Sequence, residues 1–133
     1  MPVATRGLTH VALHVEDPER SATFYGAMLG ARVTYRDSDH VEVQTPGAFD
    51  AIAFLRSRGA RTRGDGVEHF GFRLRKESDM ATAVRAAREA GAKKIRTGTF
   101  GPNEPYLFFH DPDGCEVEVW YEPPATRPRI PKR

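Results

Sequence analysis

One short unit is written twice in this chain. The segment Gly7-Leu-Thr-His10-Val-Ala-Leu13 and the segment Gly66-Val-Glu-His69-Phe-Gly-Phe72 open alike, with their histidines 59 residues apart. A helical stretch follows each opening and stops at a small-residue tripeptide, Leu29-Gly-Ala31 in the first half and Ala90-Gly-Ala92 in the second. Three β-rich runs then follow in both halves. A repeated segment of this kind is a supersecondary unit that cannot bury its apolar face alone. The expected architecture is therefore α+β, two tandem βαβββ modules over residues 7–57 and 66–122. Together these make a single domain over 1–122, with a Pro/Arg-rich flexible tail over 123–133.

The local signals fill in each module. Residues 8–15 alternate and are β-rich, which predicts a strand. Asp17 can cap a helix that has Pro18 at its first position and Glu19 in its first turn, and Gly30 ends it after about Met28. Strands are predicted over 31–36, 40–44 and 51–56, separated by turns rich in Asp, Ser, Pro and Gly. In the second half the strand covers 67–74. Ser78 or Asp79 caps a helix running to Ala90, with Met80, Val84 and Ala87 on one stripe. Strands follow over 92–97, 105–110 and 115–121. The irregular stretch 98–104 reads as a lid, and Asp111-Pro-Asp-Gly114 as a tight turn.

Alternation along the strands sorts their side chains. Val11, Leu13 and Val15 oppose His10, Ala12 and His14. Phe70, Phe72 and Leu74 oppose His69, Gly71 and Arg73. Val117, Val119 and Tyr121 oppose Glu116, Glu118 and Trp120. The first set in each strand suits packing under helices, and the second leaves His10, His69 and Glu118 on a mixed face. Two histidines and a carboxylate on separate strands are the ligand set of an open facial metal site. Small neighbours, Ala12 and Gly71, leave room for an ion and a guest.

With these residues in place, the chain resembles the vicinal oxygen chelate superfamily. That group includes glyoxalase I, extradiol dioxygenases, fosfomycin-modifying enzymes, methylmalonyl-CoA epimerase and bleomycin-resistance proteins. The likeness runs from Gly7 to about Glu122 and is strongest in Asp111-Pro-Asp-Gly-Cys-Glu-Val-Glu118. It implies paired βαβββ units forming a cupped mixed sheet with the helices on its outer face. It also implies a divalent metal held by His10, His69 and Glu118, a substrate that chelates it through adjacent oxygens, and a homodimer. Fe²⁺ or Mn²⁺ suits the set best, with Zn²⁺, Ni²⁺ or Co²⁺ as other candidates. Glyoxalases and epimerases have a fourth ligand on the strand before the midpoint. Here that strand, Ala51-Ile-Ala-Phe-Leu-Arg56, offers alanine at either register. The resemblance therefore favours dioxygenase-like chemistry over a glyoxalase-like lyase or isomerase, and either over drug or metabolite sequestration. Dioxygenases and fosfomycin enzymes carry a tyrosine ten residues before the last ligand, where this chain has Phe108.

Other residues bear on chemistry. His14, Tyr106 and His110 are acid–base candidates on the same faces. Phe108 and Trp120 can wall an aromatic guest, while Arg56 and Arg73 can meet an anion. Cys115 falls with Val117 and Val119 and reads as a core residue. The tripeptide Arg63-Gly-Asp65 reads as chance. No phosphate-cradling loop or nucleophile elbow occurs.

Composition narrows the partners. After Tyr121, Arg127, Arg129, Lys132 and Arg133 against Glu122 amount to +3, so the rest of the chain carries −1 of the formal +2. Nucleic acid, which needs a basic face, is not expected. No apolar run approaches membrane-spanning length, and residues 1–6 lack a signal-peptide pattern. A lone cysteine fits a reducing compartment, so the expected location is cytoplasmic.

Overall fold

The computed structural model describes residues 8, 10–57, 67, 69–121 and 123. Its elements run β1 (His10–Val15), α1 (Pro18–Leu29), β2 (Arg32–Arg36), β3 (His40–Gln44), β4 (Ala51–Arg56), β5 (Phe70–Arg73), a 3₁₀ turn (Glu77–Asp79), α2 (Met80–Ala90), β6 (Lys93–Thr99), β7 (Pro105–His110) and β8 (Glu116–Trp120). The chain forms two compact units, residues 1–61 and 62–133. Each is βαβββ, and each sheet has the same order, β1-β4-β3-β2 in one and β5-β8-β7-β6 in the other. The first strand of each unit runs parallel to the last, and the remaining pairs are antiparallel. The duplication read from the sequence is thus a duplication of topology.

In the first unit, Asp17 caps α1 by accepting from the backbone N–H of Glu19 and Arg20, while Gly30 closes it in the left-handed region at φ 71°. Helix α1 lies on β3 and β4. It buries Phe24, Tyr25 and Met28 against Val41, Val43, Ile52 and Phe54, and Tyr25 stacks on Phe54 at 5.3 Å. In the second unit, α2 lies on β6 and β7, and Ala83 and Ala87 face a core of Leu107, Phe109, Cys115, Val117 and Val119. Small helix residues let α2 approach its sheet closely. Each fully buried branched or aromatic side chain stabilises its unit by about 1.5–3 kcal/mol. Strand alternation holds: the core residues take every second position on β3 and β8. Cys115 is a core residue as expected.

Three local expectations are corrected. No side chain caps α2: the 3₁₀ turn before it, with Asp79 N–H bonded to the Lys76 carbonyl, already holds Asp79 in helical backbone, where its carboxylate cannot reach back. Only 100–104 of the stretch 98–104 is irregular. Gly98 and Thr99 belong to β6, pairing with Tyr106 and Pro105, and bonds from Phe100 N–H to Glu104 and from Glu104 N–H to Gly101 close the hairpin. The fifth strand is shorter than 67–74, and His69 immediately precedes it. Arg63-Gly-Asp65 and the tail from 124 lie outside the described residues. No helix among the described residues is long and apolar enough to cross a membrane.

Candidate metal centre

The non-core face of the second sheet can be read row by row from its pairing. Gly71 pairs with Glu118, Glu118 with Phe108, and Phe108 with Arg96. One step along, Arg73 pairs with Trp120, Trp120 with Tyr106, and Tyr106 with Gly98. On the other side, Glu116 pairs with His110. His69, Glu118, Tyr106 and His110 therefore share one surface of one sheet.

His69 Nε2 stands 3.6 Å from Glu118 Oε1, and the Glu118 side chain keeps only 13% of its exposure. The approach depends on Gly71. A Cβ at that position would lie 2.8 Å from the Glu118 carbonyl oxygen and 3.1 Å from its Cβ, so only glycine lets β5 and β8 close here. The His69 ring meets Phe108 edge-on at 5.4 Å, which fixes its plane. Burial pushes the Glu118 carboxyl above the ordinary carboxylate range; His69 and Arg96 pull it down, and Glu116 adds to the rise.

The donor pair fits a divalent ion. Nitrogen and oxygen ligands about 2.1 Å from an ion stand about 3.0 Å apart at a right angle and about 3.4 Å apart at a tetrahedral one. The observed 3.6 Å needs closure of a few tenths of an ångström. A desolvated carboxylate facing an imidazole is also what a cation stabilises best. Among the described residues, no group of three His, Cys, Asp or Glu side chains is gathered closely enough to hold an ion. Of the three expected ligands, the structure brings together His69 and Glu118. His10 lies in the first unit, exposed on β1 opposite Ala51.

The acid–base candidates have distinct settings. His110 Nε2 is 4.0 Å from Glu116 Oε2, and Glu116 also binds the Arg96 guanidinium at 3.0 Å. Tyr106 packs against Phe100 with centroids 4.4 Å apart. His14 is exposed on β1 opposite Leu55, in the first unit with His10. Arg56 does not wait for an anion: its guanidinium donates to the Ser38 and Glu16 carbonyls.

The register also distinguishes the two alanines of β4. Gly71, 59 residues after Ala12, pairs with Glu118; Ala12 pairs with Ala53. Ala53 is thus the repeat counterpart of Glu118, and Glu42, cross-strand from it, is the counterpart of Phe108. The His40 Nε2 lies 2.9 Å from Glu42 Oε2, misaligned for a hydrogen bond. Sequence reasoning missed Glu42, Arg96 and Phe100. Alternation marks the face of Glu42, but its alignment with Ala53 needs the β3–β4 register. Arg96 follows a bulge between Lys93 and Arg96 that shifts the face.

Two βαβββ units of one topology, each a mixed sheet under one helix, define a paired-module α+β protein. The chain belongs to the Glyoxalase/Bleomycin resistance protein/Dioxygenase superfamily, whose family model matches residues 7–119. It is 32% identical over 130 residues to uncharacterized protein PA2024 of Pseudomonas aeruginosa, covering 88% of this chain and 89% of that one. It is 26% identical to the trivalent organoarsenical cleaving enzyme of a Bacillus species, strain MD1, covering 84% of this chain and 71% of that protein. Among solved structures it is similar to oxidase ChaP-H2, with a TM-score of 0.70, 26% identity, and coverage of 90% of this chain and 96% of that one.

Proposed function

We propose that this protein is a divalent-metal-dependent enzyme that binds an oxygen-rich small molecule through two adjacent oxygens, with dioxygenase-like chemistry. The observation that carries the reading is the His69–Glu118 pair on a glycine-cleared face, set against Ala53 at the counterpart position. His69 and Glu118 would hold the ion, the resemblance adds His10 as a third protein ligand, and Fe²⁺ or Mn²⁺ suits such a set. Such a set would leave the ion open to two substrate oxygens. When bound, the metal supplies Lewis acidity and a place for oxygen.

The chain's own residues do the rest. Tyr106 and His110 bracket the Glu118 row, each two residues along β7 from Phe108, about 6.7 Å on either side. His110, with the Glu116 carboxylate behind it, is placed to hold or move a proton on the substrate's oxygens, whereas the Tyr106 hydroxyl lies over Gly98 on β6, on the far side of β7 from Glu118. His14 is a further proton carrier in the first unit. Phe108 and Trp120 keep water off the apolar part of the guest.

The names of two 26% relatives, a cleaving enzyme and an oxidase, agree with a bond-breaking or oxidative role. The arsenical itself does not carry over. Trivalent arsenic seeks thiols, and the one cysteine here, Cys115, is buried in the core. A glyoxalase-like lyase is the second reading, and Ala53 counts against it because proton transfer there uses the fourth ligand. We also propose a cytoplasmic homodimer, on the resemblance and the single buried cysteine.

The test is metal content. Protein purified without added metal, then titrated with Mn²⁺ and Fe²⁺ under anaerobic conditions, should take up one ion per chain. Glu118→Ala should weaken uptake at least a hundredfold. No stoichiometric uptake, with no effect of Glu118→Ala, overturns the enzyme reading and favours sequestration.

A further inference from the structure

We propose that the face of the first sheet turned away from α1 carries a second cation site, in which His40 and Glu42 hold a transition ion of the Zn²⁺, Cu²⁺ or Ni²⁺ class. The site shares no residue with the His69–Glu118 pair and does not depend on the reading of that pair.

His40 and Glu42 are the first and third residues of β3, so alternation puts both side chains on one face, opposite the buried Val41 and Val43. Their tips meet: His40 Nε2 lies 2.9 Å from Glu42 Oε2. At that distance a hydrogen bond is expected, yet none forms, because the ring nitrogen does not point at the oxygen. The nitrogen is also closed off from water and has no other hydrogen-bond partner among the described residues. A buried polar atom left in that state is destabilising until something binds it.

The misalignment has a simple geometric meaning. An ion about 2.1 Å from each atom, the usual distance for imidazole nitrogen and carboxylate oxygen, would see the two at about 87° when they stand 2.9 Å apart. The oxygen would then lie about 46° off the direction in which Nε2 points, bending the N–H···O angle to about 115°. A cis pair of metal ligands is therefore a poor hydrogen bond by construction. The pair is already at ligand spacing, whereas His69 and Glu118 at 3.6 Å must still close.

The neighbours hold the ring and leave the ion room. Tyr35 lies against His40 with centroids 5.0 Å apart, and its own hydroxyl donates to Asp37 at 2.6 Å, which fixes the imidazole from one side. On the other side Glu42 pairs with Ala53, and Ala53 with Ala12. Two methyl groups raise no wall beside the carboxylate. The Glu42 side chain is 34% exposed, a way in for the ion and for the waters that complete its shell. An imidazole ligand selects transition ions over Mg²⁺ or Ca²⁺. The duplication does not account for the pair: the register makes Tyr106 and Phe108 the counterparts of His40 and Glu42, so the first unit alone carries it.

Zn²⁺ is the probe, titrated by calorimetry into metal-free Glu118→Gln protein, in which the other pair is broken. One Zn²⁺ per chain should still bind, and the His40 ring resonances should shift as it does. Adding Glu42→Gln, which keeps the shape of the side chain and so leaves the fold intact, should weaken that uptake at least tenfold. Adding His40→Ala instead should abolish it, with circular dichroism unchanged. No Zn²⁺ uptake by the Glu118→Gln protein overturns the site. So does uptake that either second substitution leaves unaltered, or that leaves the His40 resonances in place, since the ion would then sit on other residues.

Discussion

Gly71→Ala tests the centre most sharply. The new Cβ would sit 2.8 Å from the Glu118 carbonyl oxygen, and ordinary contact begins near 3.4 Å. The two strands must therefore part by about 0.6 Å. The obstructing atom is backbone, in a strand paired on both sides, so it cannot swing away as a side-chain tip would. Overpacking of this size costs about 1–3 kcal/mol, and alanine recovers about 0.5–1 kcal/mol over glycine within a strand. The net loss is about 1 kcal/mol, a fall in melting temperature of about 3–5 °C for a chain of this length. The informative effect is on the ligands. Moving Glu118 away from His69 widens a pair that already has to close, and Mn²⁺ affinity should fall about tenfold, or 1.4 kcal/mol. The assay pairs thermal melts in EDTA with Mn²⁺ titration of metal-free protein. Ala12→Gly is the control: Ala12 occupies the counterpart position opposite Ala53, where a Cβ is already accommodated, so it should leave Mn²⁺ affinity within about twofold, a few tenths of a kcal/mol. Wild-type Mn²⁺ affinity in Gly71→Ala, together with an unchanged melting temperature, would refute the argument that this glycine sets the approach of Glu118.

Three further outcomes follow from other contacts. Burial raises the Glu118 pKa, so ionising it costs more in the folded chain than in the unfolded one. Metal-free wild type should accordingly lose stability relative to Glu118→Gln as pH climbs above the ordinary value of 4.5. The gap should level off once Glu118 is ionised, and saturating Mn²⁺ should reverse the order; parallel melting curves from pH 4 to 7 would refute it. Asp111, 1% exposed, accepts from the N–H of both Asp113 and Cys115 at 2.9 Å and so holds the β7–β8 turn. Asp111→Ala should destabilise the protein by about 2–3 kcal/mol in urea unfolding, and a loss under 0.5 kcal/mol would show the turn holds without it. Glu116→Gln should release Arg96 and alter the proton environment of His110. The His110 ring resonances should move in NMR spectra taken at fixed pH, and unmoved resonances would separate His110 from Glu116.

Much of this was legible in the residues. The repeat, the two helix stops at Gly30 and Gly91, the Asp17 cap and the strand alternation depend on interactions within a few positions. A one-dimensional pattern carries those fully, and it put His69, Glu118, Tyr106 and His110 on one kind of face. What sequence could not decide was register. Whether Ala51 or Ala53 matches the fourth ligand depends on which residues pair across β1 and β4, a choice made by core packing and not by either strand alone. The same holds for Gly71, whose meaning appears only when the Glu118 carbonyl stands against it. It holds for Arg96, carried onto the face by a bulge, and for Phe100, which read as part of a lid until the Glu104 bonds closed its turn over Tyr106. Local propensity chose the elements and their faces. Pairing between strands distant in sequence chose the neighbours, and the chemistry of the face belongs to the neighbours.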